Sequence, residues 1–277
     1  RVGNYHYRTT GKALGQGGMG SVFLLARRPV DGGQSQAVVG KIFHSEYLLQ
    51  LRTDEYSRRD HYEVMENIDR IAELRHPHIL QTYVSAQISD NFLTVSPLRA
   101  ETLLAATARG SLSPRRKIEL LMQAISGVAT LHEAGFLHRD FTLRNILVDE
   151  KLENAYLFDF DLTLSLSLVE GMDYRTRFQG RIFGSPGYSL APEVLDSSIM
   201  DASISPALDI YAIGNSIFHL FSDKLPYGEA EDMWSLLLRV SEGVVRGGQS
   251  FIEYPSSVPL PIRPIIERCM EHDPRQR

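Results

Sequence analysis

His138-Arg139-Asp140-Phe141-Thr142-Leu143-Arg144-Asn145-Ile146-Leu147-Val148, followed by Leu157-Phe158-Asp159-Phe160-Asp161, is the stretch from which the rest of this 277-residue chain can be read. Asp140 and Asn145 stand in a D-x-x-x-x-N pattern, and Asp159 supplies a second carboxylate further along. Asn145 and Asp159 are hard oxygen donors of the kind that hold a magnesium ion bound to a triphosphate. Asp140 stands apart as the carboxylate that orients an attacking hydroxyl and accepts its proton. Several independent spacings agree here, which a packing requirement alone does not produce.

Working outward, Leu14-Gly15-Gln16-Gly17-Gly18-Met19-Gly20-Ser21-Val22 has the form G-x-G-x-x-G-x-V. Without a Cβ, Gly15, Gly17 and Gly20 let backbone N–H groups close over phosphate oxygens. A dinucleotide site needs this motif to open a helix. Here strand-like sequence follows instead and ends at Val38-Val39-Gly40-Lys41, where Lys41 suits a cation reaching the α- and β-phosphates.

The composition agrees with an ordinary folded domain: 43% hydrophobic and 23% charged residues exclude disorder and fibrous repeats. Lys+Arg 29 against Asp+Glu 34 gives a net charge of −5 with no basic block, which argues against nucleic acid as a partner. The single cysteine, Cys269, cannot form an internal disulfide and points to a reducing, intracellular compartment. No apolar stretch approaches the roughly 18 residues of a membrane span. The chain opens on Arg-Val-Gly-Asn-Tyr and reads as a segment of a longer protein, with its C-terminus truncated at Arg277.

Alternating apolar residues around Gly15–Gly20 and Asp31-Gly32-Gly33 predict antiparallel strands. From about Arg58 the period becomes helical, with Val64, Met65, Ile68, Ile71 and Ala72 on one stripe that stops before His76-Pro77. Phe92-Leu93-Thr94-Val95 predicts another strand, which Pro97 ends. Ser113-Pro114 is an N-cap and first-turn proline for a helix carrying Ile118, Leu121, Met122, Ile125, Val128 and Ala129, closed by Gly135. Ile210, Ile213, Ile217, Leu220 and Phe221 predict a further helix.

Taken together these motifs resemble the eukaryotic-like protein kinase family of Ser/Thr type. The resemblance also covers His76-Pro77-His78-Ile79, Gly184-Ser185-Pro186-Gly187-Tyr188, Ala191-Pro192-Glu193 and Asp209-Ile210-Tyr211-Ala212-Ile213-Gly214. It implies an α+β, two-lobed kinase fold: a β-rich N-lobe with one main helix over 1–95, a hinge over 96–102, and a mainly helical C-lobe over 103–277. It implies transfer of the γ-phosphoryl group of ATP, with Mg2+, to a hydroxyl of a protein substrate. Adenine is then placed between Val22, Val39 and Leu147, beside Val95 as a small gatekeeper and the main-chain groups of Ser96 and Leu98. Glu193 is implied to pair with Arg277, and Asp209 to brace the catalytic loop. The alternative is a pseudokinase, a nucleotide-binding or scaffolding module.

Four positions depart from the family pattern. The helix glutamate that holds the strand lysine is replaced by Asn67, in a register that turns Glu66 away and leaves Glu63 one turn earlier on the same face. The metal-binding triplet ends in Asp161 where glycine is usual; aspartate takes unusual backbone angles less freely than glycine, so the switch of this segment between in and out states is expected to be restricted. Thr142 replaces a catalytic-loop lysine, and Arg144 takes over as the γ-phosphate cation. The segment Gly187–Ala191 carries one extra residue. Thr163, Ser165, Ser167, Tyr174 and Thr176 are candidate phosphorylation sites, with Arg139 as the charge they pair with.

Overall fold

The computed structural model describes residues 3–16, 20–43, 55–88, 91–169, 190–195, 204–228, 235 and 252–277. The chain divides into two compact units, Arg1–Arg99 and Ala100–Arg277.

In the first unit β1 (Tyr5–Gln16), β2 (Gly20–Pro29), β3 (Gln36–Phe43), β4 (Val84–Ile88) and β5 (Asn91–Pro97) form one antiparallel sheet in the order β1-β2-β3-β5-β4. Residues directly opposite in such a ladder share a face. Val22 stands opposite Lys41, Leu24 opposite Val39, and Thr94 and Ser96 opposite Lys41 and Val39 from the other side. That face therefore carries Val22, Val39, Lys41, Thr94 and Ser96. The other face buries Leu25, Val38 and Val95, over which Tyr7, Phe23, Tyr83, Val84 and Leu93 pack.

Two glycines set how closely these strands approach. A Cβ on Gly20 would lie 2.6 Å from the Ile42 carbonyl oxygen, and one on Gly40 would lie 2.5 Å from Leu25 Cδ1. The long helix α1 (Glu55–Ala72) turns Asn67, Ile68 and Ile71 inward and leaves Glu66 exposed.

The second unit begins with β6 (Glu101–Thr102) and α2 (Leu103–Ala108), whose N-cap Thr102 accepts from the Ala105 N–H. In α3 (Pro114–Glu133) Ser113 accepts from the Arg116 N–H at 3.2 Å, as the Ser-Pro signal predicts. The buried stripe is Leu120, Leu121, Ala124, Val128 and Leu131. Ile118 and Met122, expected on that stripe, are instead exposed, so the inward face is rotated toward Leu120 and Ala124. Gly135, at φ 81°, follows the helix end.

Short strands β7 (Phe136–Leu137), β8 (Ile146–Val148), β9 (Ala155–Leu157) and β10 (Leu164–Ser165) carry the functional segment, with order β6-β8-β9 in one small sheet and β7-β10 in another. They are followed by α4 (Pro192–Leu195), the buried α5 (Ala207–Ser222) and α6 (Arg263–Cys269). Gly214 of α5 lets α6 come close, since a Cβ there would lie 2.7 Å from Met270 Cγ and 2.8 Å from Cys269 Cβ. Among the described residues no helix is long and apolar enough to cross a membrane.

Candidate active site

The carboxylate side of the site is built on the β8–β9 hairpin and the loop before it. Ile146 pairs with Leu157, and the Phe158 N–H donates to the Asn145 carbonyl at 3.1 Å, so Asp159 emerges beside Asn145. The Asn145 amide nitrogen donates to the Asp140 carbonyl at 2.9 Å and to Asp140 Oδ2 at 2.7 Å. Both amide hydrogens are thereby directed at Asp140, which leaves Asn145 Oδ1 as the oxygen turned to other partners. A hard carbonyl oxygen next to a second carboxylate is a donor set that fits Mg2+, which takes one or two protein oxygens and fills its shell with water and phosphate. Among the described residues no three His, Cys, Asp or Glu side chains form a metal-holding group.

The loop is held from below by α5. Asp209, with no exposed surface, accepts from the His138 N–H at 2.8 Å and the Arg139 N–H at 2.7 Å, and its Oδ2 lies 2.7 Å from His132 Nε2. Burial pushes the Asp209 carboxyl up, but the hydrogen bond and electrostatic interaction with His132, joined by His138 and the Arg139 N–H, together outweigh it and hold the group below its ordinary value. These bonds fix Arg139 at φ 65°, a left-handed conformation that costs a non-glycine residue about 1–2 kcal/mol. The Ser216 hydroxyl adds a bond to the Phe141 carbonyl at 3.1 Å.

His138 ties the loop to the Asp159 segment. Its Nδ1 accepts from the Asp140 N–H and its Nε2 donates to the Phe158 carbonyl, both at 3.2 Å, which assigns the ring hydrogen to Nε2. Phe160 packs edge-on against the same ring, centroids 5.6 Å apart. In the Asp-Phe-Asp triplet it is Asp159, at φ 66°, that takes the left-handed backbone. Asp161 is buried and has no positive φ, so its backbone in this conformation does not require the glycine that is usual there.

Arg144 is exposed and lies on the one-turn helix Leu143–Asn145, whereas Thr142 is buried. The guanidinium charge reaches α5: the His219 imidazole is held below its ordinary value by burial first, with Asp223 opposing and Arg144 adding to the effect. Leu147 is half-buried on β8 and stands opposite Thr102 and Tyr156.

In the first unit Val22, Val39 and Lys41 share a face, as a nucleotide role requires, and Ser96 lies on that face too. Val95 does not. It stands opposite Gly40, is fully buried with Leu25 and Val38, and so points away from Lys41, which corrects its placement as a gatekeeper. Thr94 and Ser96 are the β5 residues beside the lysine. Leu98 is exposed. Of the loop glycines, Gly15 has open space where a Cβ would be, whereas Gly20 is required by the β3 backbone.

Two brace residues were placed by resemblance and are found as expected. Arg277 Nη1 and Nη2 each donate to Glu193 at 2.7 Å, and its remaining donors reach the carbonyls of Ala207, His272 and Glu271, so this buried fork is fully satisfied. The loop candidates fare differently. Thr163 and Ser165 are buried and Arg139 Nη1 donates to the Leu162 carbonyl at 3.3 Å, so in this conformation neither hydroxyl is open to modification. Gly17, Tyr174, Thr176 and the segments Gly184–Tyr188 and Gly187–Ser189, together with the Glu63 side chain, lie outside the described residues. Sequence reasoning missed His132, whose only local sign is a histidine in the last turn of an otherwise apolar helix face.

Residues 8–277 match the protein kinase domain model, and the chain belongs to that family. It is 30% identical over 83% of its length to CBL-interacting protein kinase 21 of Oryza sativa subsp. japonica, covering 40% of that protein. It is 28% identical over 88% of its length to a carbon catabolite-derepressing protein kinase of Candida albicans, covering 35% of it. To serine/threonine-protein kinase PrkC of Bacillus subtilis it is 26% identical over 96% of its length, covering 37% of that protein. The chain thus spans less than half the length of the curated relatives it matches.

Proposed function

We propose that this domain is an active serine/threonine kinase that transfers the γ-phosphoryl group of Mg-ATP to a hydroxyl of a protein substrate. The observation that supports the reading is the Asn145 amide bound twice to Asp140, because it orders the proton acceptor and turns Asn145 Oδ1 to other partners, with Asp159 next to Phe158, whose N–H binds the Asn145 carbonyl.

Asp140 accepts the proton of the attacking hydroxyl as its oxygen bonds to the γ-phosphorus and the bond to the departing ADP oxygen breaks. Asn145 and Asp159 hold Mg2+, which when bound neutralises charge on the β- and γ-phosphates. Lys41 supplies a cation to the α- and β-phosphates, and Gly15, Gly17 and Gly20 supply backbone cover. Val22, Val39 and Leu147 are apolar surfaces for adenine, and main-chain groups of Ser96 and Leu98 its hydrogen-bond partners. Arg144, exposed on the loop, serves as the cation for the moving phosphoryl group, in place of a lysine at the buried Thr142. The single cysteine fits an intracellular setting.

The alternative, a nucleotide-binding module without transfer, draws on Asn67, a buried amide at the inward position of α1. Turnover on a generic protein substrate separates the two. Asp140→Asn is expected to lower the rate by about 10²–10⁴ with melting temperature unchanged, and Arg144→Ala to lower kcat more than ATP affinity. Wild-type rates in both variants would remove these roles, and ATP binding without turnover in the unaltered protein would favour the alternative.

A further inference from the structure

We infer that Phe43 is a positioning residue for Lys41: its ring face holds the ammonium in place, while the inward position of α1 carries an amide and no charge. The inference rests on the reading of Lys41 as the phosphate-binding lysine.

Lys41 and Phe43 are two apart on β3 and so project from the same face. Lys41 Nζ stands 5.4 Å from the Phe43 ring centroid, within the roughly 6 Å over which a ring quadrupole attracts a cation. The ring is itself fixed. Phe43 is 2% exposed, and Phe92 on β5 packs against it with centroids 5.2 Å apart and planes tilted by 51°. Its cross-strand partner is Gly20, which has no side chain to cover the ring and cannot acquire one without meeting the β3 backbone.

On α1 the inward residue is Asn67, at 1% exposure, while Glu66 faces solvent. An amide orients a lysine by a hydrogen bond at most. The ring adds an attraction specific to a positive charge, and it acts whatever other partners Lys41 has. Leucine at position 43 would fill much of the same space but carry no quadrupole.

The test keeps the shape and changes only the ring electronics: the full chain is made with Phe43 replaced by mono-, di- and trifluorophenylalanine, and kcat/KM for ATP is measured for each. Fluorination drains the ring face, so the expected result is a stepwise fall reaching about fivefold, equivalent to about 1 kcal/mol at about 1.4 kcal/mol per tenfold. Phe43→Tyr should stay within about twofold of the unaltered protein. In the Asn67→Glu background the stepwise fall should flatten, because a carboxylate then holds the ammonium.

A flat series in the original background, with Lys41→Met inactive, overturns the role of the ring and leaves the lysine's role intact. An equal slope in both backgrounds also overturns it, since the ring would then act on something other than the lysine charge. Wild-type turnover in Lys41→Met overturns the underlying reading of the lysine, and with it the inference.

Discussion

In the second unit the functional loop is tied down by directional bonds from buried side chains to its own backbone, whereas in the first unit Lys41 stands over the Phe43 ring on a strand with glycine neighbours. Asp209 grips two successive loop amides and His132, and Asn145 grips Asp140 twice. Around Lys41 the fixed features are steric: Phe43 against Phe92, and glycines where strands approach too closely for a Cβ. The two units are therefore expected to fail differently. Damage to the loop supports should cost stability and activity together, while changes beside Lys41 should shift activity with little change in folding.

The largest stability effect is expected at Asp209. Asp209→Ala leaves two buried N–H groups and His132 without their acceptor, a loss of about 3–5 kcal/mol when each orphaned group costs about 1–3 kcal/mol. Chemical denaturation measures it, and a loss below about 1 kcal/mol would show that the loop does not depend on this carboxylate. The pH dependence has a definite sign. Because the folded carboxyl lies below its ordinary value, its contribution is complete above about pH 3.9, the unfolded value, and is lost as pH falls through the lower folded value. Asp209→Asn should flatten that part of the acid-unfolding curve.

Next in size is the contrast within the glycine-rich segment. Gly20→Ala puts a Cβ 2.6 Å from a backbone oxygen that cannot swing aside, at a cost of about 1–3 kcal/mol. Gly15→Ala meets nothing within 4 Å and should leave the melting temperature unchanged while raising KM for ATP. Equal destabilisation by both would mean that the segment acts through folding alone.

Much of this was legible in the sequence because it is local. The D-x-x-x-x-N spacing, the Ser113-Pro114 helix start and the apolar phase that turned Asn67 inward each depend on a few neighbouring residues, and the structure agrees with the last two directly. What depends on register between strands was not. Val95 was assigned to the lysine face, and the ladder puts it on the other, because in a strand an error of one residue reverses the face. Ile118 and Met122 were read as core from a spacing that several rotations of α3 satisfy. The left-handed backbone at Asp159 also has no sign in the local sequence. The burial of Thr163 and Ser165 likewise follows from tertiary packing.

The smallest expected effect sharpens the lysine side. Asn67→Glu supplies an opposite charge at an inward position, offset by desolvation of a buried pair, so a gain of about fivefold in kcat/KM for ATP is expected, or about 1 kcal/mol. A silent Asn67→Glu beside a crippled Glu63→Gln or Glu66→Gln would move the charge partner to one of those glutamates.

The most direct measurement is phosphoryl transfer from radiolabelled Mg-ATP to a generic serine- and threonine-bearing protein substrate, comparing the unaltered chain with Asp159→Asn. Labelled phosphoserine or phosphothreonine is expected from the former and none above background from the latter, with both proteins folded and equally stable to heat. Equal labelling by the two proteins, or ATP binding by the unaltered chain with no transfer at all, would contradict it.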